Sequence, residues 1–146
     1  MKYTKPSNNK PEAKLIPFPI KKPLVEYEHR TKCVTKFLKP WGYYEVLIEA
    51  KGFKVKKMVL KPNSSISVQS HNKREEHWVV VSGVANVLIN DISITLKQGE
   101  SIKIEKTDKH SLTNNQDYNL VVIETQTGEY LGEDDIVRYQ DFYGRV

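Results

Sequence analysis

The residues from Gln69 to His77 carry an amide, two imidazoles and two adjacent carboxylates: Gln69, His71, Glu75, Glu76 and His77. An apolar, β-branched stretch follows at once and stops at Gly83, and another histidine, His110, lies beyond it. In an extended strand, residues two apart point to the same face, which puts Gln69 and His71 together. Residues 72–75 form a four-residue link with hairpin spacing, so Glu76 can sit beside His71 on the inner face. The same alternation places Trp78 and Val80 inside and His77 outside, and His110 can complete the set from a later strand. One amide oxygen, two imidazole nitrogens and one carboxylate oxygen make a mixed N/O donor set. That set suits one divalent metal, Zn²⁺ first and also Mn²⁺, Fe²⁺, Co²⁺ or Ni²⁺. With a single carboxylate the site keeps a charge of about +1, which favours an anionic, oxygen-bearing transition state such as an enediolate.

The elements that must position these residues are short strands. From residue 37 onward, strands are expected over 43–49, 53–60, 65–70, 77–82, 85–89, 92–96, 101–104, 110–113 and 120–125. Between them lie turn signals such as Lys51-Gly52, Lys61-Pro62-Asn63, Asn90-Asp91 and Gln98-Gly99. Many short strands at this spacing predict an all-β, antiparallel sandwich or barrel. Lys39-Pro40-Trp41-Gly42 reads as a turn carrying an aromatic anchor. Residues 132–137 read as a single helical turn, and the chain closes in an aromatic, charged tail.

At 146 residues the chain fits one domain with one core. Its net charge of +5 is unevenly placed. Residues 1–40 hold ten Lys/Arg against three acids, net +7, and the rest hold thirteen against fifteen, net −2. Residues 1–36, rich in Lys, Pro and Asn, read as a basic arm, with Leu15, Ile16, Phe18, Ile20, Leu24 and Val25 able to pack on the domain or on a second subunit. A near-neutral folded part argues against a nucleic-acid reader. The single cysteine, Cys33, excludes an internal disulfide. No run approaches the ~18 apolar residues of a membrane span, and prolines break the one apolar stretch of the arm. The expectation is a cytoplasmic protein without membrane contact.

Gln69-x-His71-x4-Glu76-x6-Gly83 resembles the first motif of the cupins, with Gln69 where a histidine is usual. Gly99-x5-Glu105-x-Thr107-x2-His110-x3-Asn114 resembles the second, with Glu105 and Thr107 in place of the usual proline and second glycine. This resemblance implies a single jelly-roll barrel, a double-stranded β-helix, over 37–146. Within the cupins the chain is similar to the type II mannose-6-phosphate isomerases, also found as the C-terminal half of bifunctional enzymes with a mannose-1-phosphate guanylyltransferase. The matching stretches include Lys39-Pro40-Trp41-Gly42, Arg74-Glu75-Glu76-His77-Trp78 and Gly132-Glu133-Asp134-Asp135-Ile136-Val137-Arg138. No stretch resembles the guanylyltransferase half.

The resemblance implies Gln69, His71, Glu76 and His110 as metal ligands. It also implies reversible isomerisation of mannose 6-phosphate and fructose 6-phosphate through a cis-enediolate. That chemistry needs a base between C1 and C2, and alternation puts Glu124 and Gln126 on one face, making Glu124 the candidate. Glu100, Lys54, Lys56 and Asp135 are further candidates. The phosphate needs cations: Arg138 and Arg145 present the fork matched to it, with Lys54 and Lys56 as additional substrate contacts. Trp41 and Trp78 read as packing residues. Other readings are a cupin enzyme acting on another sugar phosphate or sugar nucleotide, a non-catalytic sugar-binding or partner cupin, and an Fe²⁺ oxygenase on the same fold. The expected partners are a small sugar phosphate, a second copy of the chain in a homodimer, and a separate guanylyltransferase of the same pathway.

Overall fold

A computed structural model describes residues 35–144. The basic arm, save for its last two residues, and Arg145 lie outside the described residues. Twelve strands form two antiparallel sheets: β1 (Lys36–Lys39), β2 (Gly42–Ala50), β3 (Phe53–Leu60), β4 (Ser64–Ser65), β5 (Val68–Ser70), β6 (Arg74–Ser82), β7 (Ala85–Ile89), β8 (Ile92–Leu96), β9 (Ser101–Ile104), β10 (His110–Asn114), β11 (Leu120–Gly128) and β12 (Val137–Gln140). The first sheet runs β1-β2-β3-β11-β6-β9 and the second β12-β5-β10-β7-β8, with β4 also on β10. The predicted all-β barrel is the observed fold. Its turns follow from local chemistry. Asn90 and Asp91 join β7 to β8 with φ of 46° and 71°, the left-handed pair that matches the twist of a two-residue hairpin.

The interior of the first sheet changes character along its strands. At one end Leu60 pairs with Leu120, and Met58 with Val122, which also faces Val80. Two residues on, Lys56 pairs with Glu124, which faces Trp78; beyond that Lys54 pairs with Gln126, which faces Glu76. All of these side chains are buried. Half of the barrel is therefore an apolar core and half a polar interior, and the polar half carries the site.

Two edge strands were not expected. β1 forms where only a turn was predicted, because Phe37 pairs with Tyr44 and their rings stack at 4.8 Å. β12 lies in the predicted tail and pairs with β5, bringing Arg138 opposite Gln69. Residues 132–137 contain the predicted turn, a 3₁₀ helix at Glu133–Asp135. The expected strand over 65–70 is split into β4 and β5. No described helix is long and apolar enough to cross a membrane.

Candidate metal centre and cavity

His71 follows β5 and His110 opens β10, both in the second sheet, while Glu76 sits in β6 of the first. The link between His71 and Glu76 is thus a crossing from one sheet to the other and not a hairpin. The two residues meet across the barrel interior, with His71 Nε2 3.0 Å from Glu76 Oε1. His110 Nε2 lies 3.6 Å from Glu76 Oε2. One ligand atom from each of the three residues falls within 4.8 Å of the others, and all three side chains are buried.

Backbone carbonyls orient both rings. His71 Nδ1 lies 3.1 Å from the Asp135 carbonyl and His110 Nδ1 2.8 Å from that of Asp108. Each Nδ1–H is thereby donated outward, which leaves each Nε2 lone pair directed into the cluster, as in metal-bound histidines. His110 Nε2 is buried and has no hydrogen-bond partner. Burial lowers the His110 pKa despite the neighbouring Glu76 carboxylate, so the ring is held in its neutral form, the form that ligates. Burial alone would raise the Glu76 pKa; the adjoining His71 and His110 rings and the Arg74 guanidinium outweigh it and keep the carboxyl ionised. Two imidazole nitrogens and a carboxylate, converging with an orphaned buried acceptor among them, fit a divalent cation.

Gln69 pairs with His110 across β5 and β10, and its Oε1 accepts from Ser67 Oγ at 3.0 Å. The structure therefore brings three of the four expected ligands into mutual contact and sets the fourth beside His110.

The residue missed by sequence reasoning is Arg74. It is 2% exposed, and its Nε donates to Glu76 Oε1 at 3.0 Å. Nη1 donates to the Gly132 carbonyl at 2.9 Å, and Nη2 lies 3.3 Å from His71 Nε2. β6 begins at Arg74, so the alternation that placed Glu76 and Trp78 inside extends to it; the strand had been expected to begin later. Trp78 is buried as expected, but its Nε1 also serves the site, donating to Glu76 Oε2 at 3.2 Å and Glu124 Oε1 at 3.3 Å.

A cavity adjoins the cluster. Gln69, Arg74, Glu124 and Gln126 belong to its wall, while His71, Glu76 and His110 lie behind that wall. Glu124 points inward as predicted. Burial, and next the Glu76 charge, push its pKa up to about 8. Gln126 Nε2 reaches Glu124 Oε2 at 3.1 Å. Lys56 stands 3.8 Å from Glu124 and is bonded to Glu133. Lys54 is also buried, but its ammonium is held by Glu49 and the Leu131 carbonyl, each at 3.1 Å. Arg138 lines the cavity, and its Nε is buried without an acceptor. Asp135 accepts from the backbone N–H groups of Asn72, at 3.3 Å, and Lys73, at 2.9 Å. It thereby clamps the His71–Arg74 segment to the C-terminal strap. Glu100 is exposed in the turn before β9 and accepts from Lys97 N, remote from the cavity.

Residues 26–141 match the model of the mannose-6-phosphate isomerase C-terminal family. The chain belongs to that family. It is 44% identical over 111 residues to the xanthan biosynthesis protein XanB of Xanthomonas campestris, covering 76% of this chain and 24% of that protein. It is 44% identical over 108 residues to the mannose-1-phosphate guanylyltransferase ManC of Salmonella typhimurium, covering 74% of this chain and 22% of that one. The chain thus spans about a quarter of the length of these relatives. Among solved structures, the capsular polysaccharide assembling protein CapF of Staphylococcus aureus superimposes with a TM-score of 0.66 at 18% identity, over 74% of this chain and 34% of that one. That likeness is one of fold, and it agrees with the cupin barrel expected from the two motifs.

Proposed function

We propose that this domain is a metal-dependent aldose–ketose isomerase that interconverts mannose 6-phosphate and fructose 6-phosphate. The observation that carries this reading is the buried His71–Glu76–His110 cluster, set directly behind the wall of a cavity lined by a buried carboxylate, in a member of this family. Gln69, beside His110, is the proposed fourth ligand. When bound, the metal supplies a Lewis acid that polarises the substrate's carbonyl and hydroxyl oxygens, and Zn²⁺ suits the donor set.

The chain's own residues do the rest. Glu124, on the cavity wall, takes the C2 proton of the aldose and returns it to C1, while a hydroxyl proton passes from O2 to O1, so that no atom is gained or lost. Trp78 and Gln126 hold the Glu124 carboxyl in place by donating to its two oxygens. Arg74 fixes Glu76 and ties it to the strap at Gly132. The names of XanB and ManC favour a role in supplying mannose 6-phosphate for activated mannose and surface polysaccharide.

Isomerisation in D₂O tests the proton shuttle. Wild type should wash deuterium into C1 of fructose 6-phosphate. Glu124→Gln should keep its bound metal and lose both turnover and exchange. Full exchange in Glu124→Gln would remove Glu124 from the role of base.

A further inference from the structure

We infer that Lys39 and Arg138 form a subsite for a phosphate dianion on the wall of this cavity; the inference rests on the sugar-phosphate reading above and specifies where the phosphate binds. Four cationic side chains line the cavity, Lys39, Lys56, Arg74 and Arg138, against two carboxylates, Glu124 and Glu133. With both carboxylates ionised the wall carries a surplus of two positive charges. Pairing shows where the surplus sits. Arg74 is spent on Glu76, and Lys56 is spent on Glu133 and Glu124. Lys54, on the same strand, is spent on Glu49. Lys39 and Arg138 have no carboxylate partner among the described residues.

Both are placed for a ligand. Lys39 ends β1, and its ammonium lies 5.5 Å from the centre of the Tyr44 ring, itself part of the cavity wall. Arg138 comes from the other sheet, opposite Gln69 on β5. A buried guanidinium N–H without an acceptor costs free energy comparable to a lost hydrogen bond, and Arg138 Nε is such a group. A phosphate monoester supplies what the pair lacks: close to two negative charges and three terminal oxygens for the Arg fork and the Lys ammonium. The subsite joins the edge of the first sheet to the C-terminal strand of the second, so a substrate anchored there lies against Glu124 and Gln126.

The test is calorimetric titration of the full chain with mannose 6-phosphate, inorganic phosphate and mannose. The proteins are wild type, Lys39→Met, Arg138→Met, Arg138→Lys and, as a control, Lys109→Met, whose lysine lies over Tyr139 and outside the cavity wall. Lys39→Met and Arg138→Met should each weaken mannose 6-phosphate and phosphate at least tenfold and leave mannose unchanged. Arg138→Lys should recover part of the loss, and Lys109→Met should match wild type. Unchanged affinity for mannose 6-phosphate in both Met variants would overturn the subsite, as would failure of wild type to bind either phosphate. If the variants weaken binding as stated but wild type does not turn over, the subsite stands and the isomerase reading falls. If wild type turns over and both Met variants keep its KM, the subsite falls and the isomerase reading stands.

Discussion

At the scale of single residues, the site depends on atoms whose partners are already assigned. Each histidine gives its Nδ1–H to a carbonyl and keeps Nε2 for the cluster. Removing Glu76 or His110 should therefore release the metal. We expect Glu76→Ala and His110→Ala to be purified with less than a tenth of the wild-type metal by elemental analysis; full occupancy in both would refute the ligand assignment. Thr107 offers a different prediction. It occupies the second-motif position where glycine is usual and has φ of 69°, a strained value for a β-branched residue. The turn still forms, because Thr107 N donates to the His71 carbonyl at 2.7 Å and Asp108 caps Glu105 N at 3.0 Å. Thr107→Gly relieves strain of ~1–3 kcal/mol and gives back part of it as unfolded-chain entropy. The expected result is a gain of about 1 kcal/mol in denaturant unfolding, with metal content unchanged. Glycine would otherwise have been the residue to predict here, and nothing in the sequence alone said whether the turn survived its loss.

At the scale of elements, alternation was legible and direction was not always so. Glu124 and Gln126 were assigned to one face, and both are buried on it. Lys54 and Lys56 alternate with Phe53 and Val55, a pattern that leaves two directions open. The barrel settles it by turning the lysines inward, where Glu133, Glu124 and Glu49 receive them. The four-residue link before Glu76 looked like a hairpin because a hairpin and a sheet-to-sheet crossing both return the chain to a nearby strand. Sequence spacing does not separate the two; pairing of β5 with β10 and of β6 with β11 does. Arg74 was missed for a related reason, since charged residues at a strand's start read as loop. The C-terminal strap was read as a helical turn and a tail carrying the phosphate-binding arginines; that its Asp135 and Gly132 carbonyls orient His71 and Arg74 was not read. Asp135→Ala removes the acceptor of two backbone N–H groups, one hydrogen bond of which to a charged group contributes roughly 1.5–3 kcal/mol. It should cost about 2 kcal/mol in stability and weaken metal binding about tenfold by loosening the segment that carries His71. Unaltered metal affinity would show that the strap does not position the ligand. Gly128 makes the same junction tight: a Cβ there would lie 2.3 Å from the Lys73 carbonyl oxygen. Gly128→Ala should therefore displace Arg74 and raise KM more than it lowers the melting temperature.

At the scale of the whole molecule, the barrel divides its labour. The apolar half, with Leu60, Leu112 and Leu120 fully buried, supplies packing. The polar half holds charges that are costly to bury unless paired, and among the described residues Lys54, Lys56, Arg74, Glu76 and Glu124 are all paired. A metal that binds only the folded state stabilises it by ~2.7 kcal/mol at a hundredfold excess over its Kd. Chelation should therefore lower the melting temperature by roughly ten degrees, and His110→Ala should abolish that difference. The most direct measurement is a titration of the metal-stripped 146-residue chain with Zn²⁺ or Mn²⁺, reading bound metal and fructose 6-phosphate formed from mannose 6-phosphate in the same samples. Turnover that rises in step with occupancy, saturates at one metal per chain and is lost on chelation is the predicted result. Protein that fills to one metal per chain and forms no fructose 6-phosphate would contradict it.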